Sequence, residues 1–152
     1  NTVLALIEHP RQLAAVRRDP SLIPAMVEEM LRWDTPVQFL VRRVTQDTEL
    51  AGTKIPAGAI VMPLLASANR DDAQFPDGER FDVTRDTSGH LGFGFGIHFC
   101  LGASLARLEA RVALEELLAR YAGFERASAR VDYVDSYLIR GPRRLPLRLA
   151  AA

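Results

Sequence analysis

Residues 92–102 read GFGFGIHFCLG, and the reading of this run decides what kind of chain this is. It holds Cys100, the one cysteine of the sequence. A buried free cysteine packs as a small hydrophobe and needs no special account. Glycines at alternate positions, Gly92, Gly94 and Gly96, do need one, because they let the backbone approach something closely or bend where other residues cannot. The apolar periodic stretch after Cys100 predicts a helix, which puts the thiol at a helix N-terminus. There the dipole and the free backbone N–H groups favour thiolate over thiol.

Composition narrows the partners. With 152 residues the chain is long enough for one unit with a sizeable core. Lys+Arg and Asp+Glu both number 19, so nothing in the charge balance points to nucleic acid or an anionic membrane. One cysteine excludes an internal disulfide and any multi-cysteine zinc or iron–sulfur site. No apolar run approaches the ~18 residues of a membrane span, and no signal peptide is visible. The expected location is cytoplasmic. The chain opens at Asn1 inside the periodic stretch TVLALIEH, which is expected to be the tail of a longer helix.

Working back from the loop, residues 69–90 are polar and turn-rich and predict an irregular meander. Upstream, VQFLVRRVT, TELAG, TKI and AIVMPLL alternate and predict short strands. Residues 2–9 predict a helix stopped by Pro10, and RQLAAVRR a second. LIPAMVEEMLRW predicts a third, capped by Ser21, with Pro24 tolerated in its first turn and an end at Thr35-Pro36. Downstream, LGASLARLEARVALEELLARY predicts the longest helix, with Leu101, Leu105, Leu108 and Val112 on one face. YLIRGPRRLPLRL predicts a final hairpin turning at Gly141-Pro142.

A thiolate at the start of that helix is a nucleophile or a metal ligand. A Cys–His hydrolase would take His98 or His90 as base, but His98 is only two residues away and would have to fold back to reach the sulfur. A phosphate cradle is not matched, since no Gly-Lys-Ser/Thr follows. A lone soft thiolate in apolar surroundings suits a haem iron. On composition alone a structural cysteine in a helix cap stands level with these.

Phe93, Gly96, His98, Cys100 and Gly102 fall at the spacing F-x-x-G-x-H-x-C-x-G. This resembles the haem-binding signature of the cytochromes P450, and the likeness to soluble bacterial members extends over essentially the whole chain. It implies a fold that is mainly α with small β-sheet regions, the C-terminal part of the P450 fold, as one unit over 1–152. By the same resemblance Cys100 is the axial thiolate of haem b (iron protoporphyrin IX). Phe93 packs against the ring, and glycines such as Gly94 let the loop lie close to it. The amides of Leu101 and Gly102 hydrogen-bond the sulfur, and His98 contacts a propionate.

Four further constellations follow. Glu29 and Arg32 in EMLR form an i,i+3 pair, and the resemblance makes it a buried network completed by an arginine from the meander, expected to be Arg80 of GERF. The family has Pro where this chain has Gly78. Arg42 in RRVTQD is the implied propionate-binding arginine, with Arg43 its competitor on the opposite face of a strand. VQFLV and Leu138-Ile139 resemble substrate-contact regions, although apolar side chains suit a plain core equally well. Arg107 and Arg111 share a helix face open to two readings, docking of an acidic ferredoxin or pairing with Glu115.

The expected function is that of a haem-thiolate monooxygenase. It would insert one atom of O₂ into a small apolar organic substrate, with electrons from a ferredoxin and its reductase. The family's oxygen-activating acid/alcohol pair lies on a helix upstream of these residues, so the chain alone is expected to be inactive. The other readings are a non-catalytic haem-binding module and an inactive partial gene product.

Overall fold

The computed structural model describes residues 1–151; Ala152, the last residue of the expected unit, lies outside them. Prolines set the helix boundaries at the N-terminal end. Helix α1 (Thr2–Glu8) stops before Pro10, which opens α2 (Pro10–Arg18) at a position where a missing N–H costs nothing. Pro20 opens a 3₁₀ turn, and Pro24 sits in the first turn of α3 (Ile23–Trp33). Ser21 is not the N-cap. Leu22 holds that position in α3 without a side-chain cap, and Asp19 caps the preceding 3₁₀ turn, its carboxylate accepting from the Ser21 amide at 3.1 Å and the Ser21 hydroxyl at 2.6 Å.

The central strands are shorter than the alternation predicts. β1 (Arg42–Arg43) pairs antiparallel with β4 (Ile60–Val61), and β2 (Thr48–Leu50) pairs with β3 (Thr53–Ile55). Pro63 follows β4 closely, and Leu65–Ala68 then forms a helical turn, α4, instead of continuing the strand. The long helix α5 runs from Ala103 to Arg120. Tyr121, expected as the last residue of that helix, instead opens strand β5 (Tyr121–Arg126), paired with β8 (Leu147–Ala151). Between them β6 (Asp132–Tyr133) pairs with β7 (Pro142–Arg144). Gly141-Pro142 therefore opens the returning strand, and the turn lies earlier, in residues 134–141.

The core is built by α1, α2, α3 and α5 around Leu6, Val16, Met26, Met30, Phe81 and Leu114. Here α5 departs from the sequence reading. Ala103, Ala110, Leu114 and Leu117 face inward, whereas Leu105, Leu108 and Val112 are exposed and Leu101 is fully so. The apolar face of Leu101, Leu105, Leu108 and Val112 points away from this core. His9, Trp33 and Phe81 join the core in a cluster with centroids 5.1–5.3 Å apart. No helix among the described residues is long and apolar enough to cross a membrane.

The meander is ordered by short side chains bonding nearby amides. Asp71 accepts from Ala73, Asp72 from Gly78, Asp82 from Thr84 and Asp86 from Ser88. Gly78 explains its own departure from the family pattern. Its N–H donates to Asp72 at 2.9 Å, which proline cannot do, and a Cβ there would collide with the Arg70 carbonyl.

Candidate functional site: the cysteine loop and its supports

The loop leaves the meander where Asn69, fully buried, takes the Leu91 amide on its Oδ1 at 2.6 Å. Gly92 is pressed onto α3, with no room for a side chain: a Cβ would stand 2.6 Å from the Leu31 carbonyl oxygen. Gly94 and Gly96 adopt φ of +75° and +65°, which L side chains rarely take. A 3₁₀ turn over Gly96–His98 follows, and the Cys100 amide closes the loop by donating to the Phe93 carbonyl at 2.9 Å.

Cys100 is exposed and opens on a cavity of about 310 Å³ whose walls include Leu31, Val37, Leu40, Leu65, Phe93 and His98. Its sulfur lies by the backbone that starts α5, since a Cβ on Gly102 would sit 3.8 Å from it. Among the described residues neither the Leu101 nor the Gly102 amide donates a hydrogen bond. Donors therefore remain free next to the thiol. Phe95, Ile97 and Leu101 project from the loop 83%, 97% and 104% exposed, an apolar surface larger than a loop of this length needs for itself.

The expected residues divide into those this site gathers and those it does not. Phe93, Gly94, His98 and Cys100 line one cavity. Leu101 and Gly102 follow directly. Arg42 is not in the cavity wall; it stands two residues beyond Leu40, exposed on β1, and donates to the Val41 carbonyl at 3.0 Å. It has no carboxylate partner among the described residues, and neither has Arg43. The two apolar segments meet: Val37 bridges Ile139, Gln38 donates to the Leu138 carbonyl at 2.9 Å and Arg140 to that of Pro36 at 2.8 Å. No hydrogen bond joins Cys100 to His98 or His90 among the described residues, so a Cys–His nucleophile pair is not assembled.

Glu29 and Arg32 are completely buried and paired twice, Nε to Oε2 at 2.7 Å and Nη2 to Oε1 at 2.9 Å. Arg32 also donates to the carbonyls of Asn69, Gly78 and Arg80, and Glu29 accepts the Asp82 amide at 2.8 Å. The meander arginine beside this pair is Arg85, not Arg80. Arg85 Nε lies 3.5 Å from Glu29 Oε1 with its side chain 10% exposed. The Arg80 side chain is 60% exposed and pairs with Asp77 and Asp82. The cause is a turn after Phe81: the Arg85 amide donates to the Asp82 carbonyl at 3.0 Å, and the Arg85 guanidinium is anchored on the carbonyls of Pro76, Asp77 and Arg80 beside Glu29. No local pattern in the sequence separates Arg85 from Arg80.

A second carboxylate went unnoticed there. Glu28, next to Glu29, accepts from Arg107 Nε at 2.5 Å and Nη2 at 2.9 Å, and from His90 Nε2 at 3.0 Å. Burial pushes its carboxyl up. The hydrogen bonds from His90 and Arg107 and the Arg107 charge outweigh that and hold it at about 2. Arg111 pairs with Glu115 at 3.7 Å, whereas Arg107 turns to Glu28.

Haem fits these residues. One sulfur with free neighbouring amides suits an iron whose other ligands come with a macrocycle. The apolar cavity and loop surface suit the flat ring, and His98 in the cavity wall and Arg42 on β1 are the expected donors to its carboxylates.

A family model described as Cytochrome P450 matches residues 15–128. Cytochrome P450 107B1 of Saccharopolyspora erythraea is 46% identical over 99% of this chain and 38% of its own length. The 6-deoxyerythronolide B hydroxylase of the same organism is 49% identical over 95% of this chain and 36% of its own. Among solved structures, Cytochrome P450 CYP109Q5 from Chondromyces apiculatus superposes with a TM-score of 0.94 at 54% identity, over 99% of this chain and 39% of that one. The chain thus spans well under half the length of the relatives it matches. Fold, motif and relatives agree along it, and the chain belongs to the cytochrome P450 family.

Proposed function

We propose that the chain forms the C-terminal part of a cytoplasmic haem-thiolate monooxygenase that inserts one oxygen atom of O₂ into a small apolar organic substrate. Its electrons come from a ferredoxin served by a reductase. The observation that carries this reading is the Cys100 sulfur, open to an apolar cavity and flanked by the unspent amides of Leu101 and Gly102. The hydroxylase named among the relatives supports oxygen insertion as the reaction.

Haem b, when bound, supplies the iron at which O₂ is reduced. The chain's own residues do the rest of the proximal work. Cys100 would bind as thiolate, and the free amides of Leu101 and Gly102 would donate to its sulfur and temper its basicity. Phe93, in the same cavity wall, would limit water there. Gly94 would leave the loop without a side chain at that wall. His98 and Arg42 would each hold a carboxylate of the cofactor, Arg42 through its forked guanidinium. Glu29, Arg32 and Arg85 tie α3 to the meander so that the loop starts from a fixed point. The wall formed by Val37, Leu40 and Ile139 excludes water from the substrate side.

The test is turnover of the parent protein with a ferredoxin, its reductase, NAD(P)H and a panel of apolar substrates under ¹⁸O₂. Product carrying one ¹⁸O atom per molecule is expected. Haem binding without NAD(P)H-linked oxygenation of any substrate would favour a non-catalytic haem module instead. The 152-residue chain by itself, which spans well under half the length of the relatives it matches, should bind haem weakly and form no selective product.

A further inference from the structure

Helix α3 carries adjacent glutamates that serve different parts of the molecule. Glu29 is sealed against the meander. Glu28, with its side chain 27% exposed, faces the loop and α5. Two arms leave this one carboxylate. The first runs through His90, whose ring is 8% exposed and uses both nitrogens. Nε2 bonds Glu28 at 3.0 Å and Nδ1 accepts the Gly92 amide, also at 3.0 Å. An acceptor at Nδ1 assigns the proton to Nε2, so the ring is a neutral strut between carboxylate and backbone. The second arm runs through Arg107, which grips Glu28 with two nitrogens and sets its guanidinium carbon 4.7 Å from the centroid of the Phe93 ring.

The arms end on consecutive residues, Gly92 and Phe93. The second of these takes the Cys100 amide on its carbonyl at 2.9 Å and stacks edge-on against Phe99 at 6.3 Å. Gly92 has no freedom of its own, being wedged between the Leu31 carbonyl and His90 Nδ1. An ordinary half-exposed ion pair adds little to stability and needs no such geometry. Here one carboxylate is doubly gripped by Arg107 and also engaged by a histidine spent at both ends, and everything it holds bears on the segment that presents Cys100.

We propose that Glu28, His90 and Arg107 form a positioning clamp which fixes the Gly92–Phe93 segment, and through the Phe93 carbonyl the amide of Cys100, so that the sulfur stays aimed at its ligand. The clamp rests on the reading of Cys100 as the haem ligand. Its residues touch neither the sulfur nor the cavity beyond Phe93 and Gly92. Arg107 is thereby engaged in holding the loop, as well as lying on the helix face considered for a redox partner.

The experiment uses the haem-loaded parent protein and its Glu28→Gln, Arg107→Leu, Arg107→Lys and Glu28→Gln/Arg107→Leu variants. The readout is the rate at which the reduced, carbon-monoxide-bound form loses its thiolate-type Soret band, measured well below each variant's unfolding midpoint. Glu28→Gln and Arg107→Leu should each speed that loss roughly tenfold, the usual scale for groups that orient a metal ligand. The double variant should add little to either single one, as expected for one unit, and Arg107→Lys should recover part of the effect. A role through charge alone moves the two single variants in opposite directions, since one removes an anion and the other a cation; that result overturns the clamp. Single variants as slow as the parent overturn it too. Where a variant loads no haem, hydrogen exchange at the Cys100 amide in the haem-free proteins decides. Faster exchange than in the parent is expected, and unchanged protection overturns the proposal. A parent protein with no thiolate-type band at all would instead sink the haem-thiolate reading, while the exchange measurement still reports on the clamp.

Discussion

The meander and the cysteine loop are neighbours in sequence and opposites in structure. In the meander Phe75, Phe81 and Val83 are buried, and every buried charge beside them is paired or bonded to backbone, Arg85 Nε excepted. In the loop Phe95, Ile97 and Leu101 stand in solvent and the amides after the cysteine are unspent. The same residue types, phenylalanine, glycine and charged side chains, are consumed by packing in one region and left available in the other. Stability resides in the meander, and binding capacity in the loop that it supports.

The sharpest way to break this division is at Glu29. Glu29→Gln leaves Arg32 buried without a counter-charge, at a cost of roughly 3–5 kcal/mol, a large share of a domain's stability. The parent protein should accumulate as misfolded, haem-free material, followed by expression yield and haem content. Soluble, haem-loaded Glu29→Gln with no loss of stability would mean that the meander is not the stabilising region.

A smaller effect separates the two meander arginines. Arg85→Ala removes charge-assisted bonds to the carbonyls of Pro76, Asp77 and Arg80 and a cation beside Glu29, about 2–3 kcal/mol in all. Arg80→Ala removes exposed pairs and should cost no more than about 1 kcal/mol. Chemical denaturation of both variants checks the order. The reverse order would return Arg80 to the network.

The smallest effect belongs to Glu28, which joins α3 to the loop. Its carboxyl is held at about 2 in the folded chain against an ordinary value of 4.5. A depressed folded value stabilises fully above the unfolded value, and the contribution is lost as pH falls from about 4.5 to about 2. Stability curves of the parent and Glu28→Gln should therefore run apart near neutrality and converge over that interval. Partial exposure and screening by salt keep the gap small. Parallel curves down to pH 2 would show that Glu28 is not held as described.

Most helix boundaries and the loop motif were legible because both are local. Pro10 and Pro24 mark helix starts by lacking an N–H, and the glycines and Cys100 carry their spacing in the sequence itself. What escaped depends on contacts distant along the chain. Strand β5 was not foreseen beyond its first residue, Tyr121, which was read as the end of the helix, because its pairing with β8 joins Phe124 to Leu149, far downstream. The apolar stripe of α5 was legible as one face, but periodicity finds a face without saying which partner covers it. Arg85 was missed because a turn closed by the Arg85 amide on the Asp82 carbonyl, and not strand alternation, carries it back to Glu29. Glu28 and His90 meet across 62 residues, a juxtaposition that no local pattern encodes.

The central claim is that Cys100 holds haem iron as a thiolate. The direct measurement is the absorption spectrum of the reduced parent protein with carbon monoxide. The red-shifted Soret band of thiolate ligation should appear, and Cys100→Ala should abolish it, the sequence having no other cysteine to substitute. A parent spectrum typical of histidine ligation, or a thiolate band in Cys100→Ala from a ligand supplied elsewhere, would contradict the account.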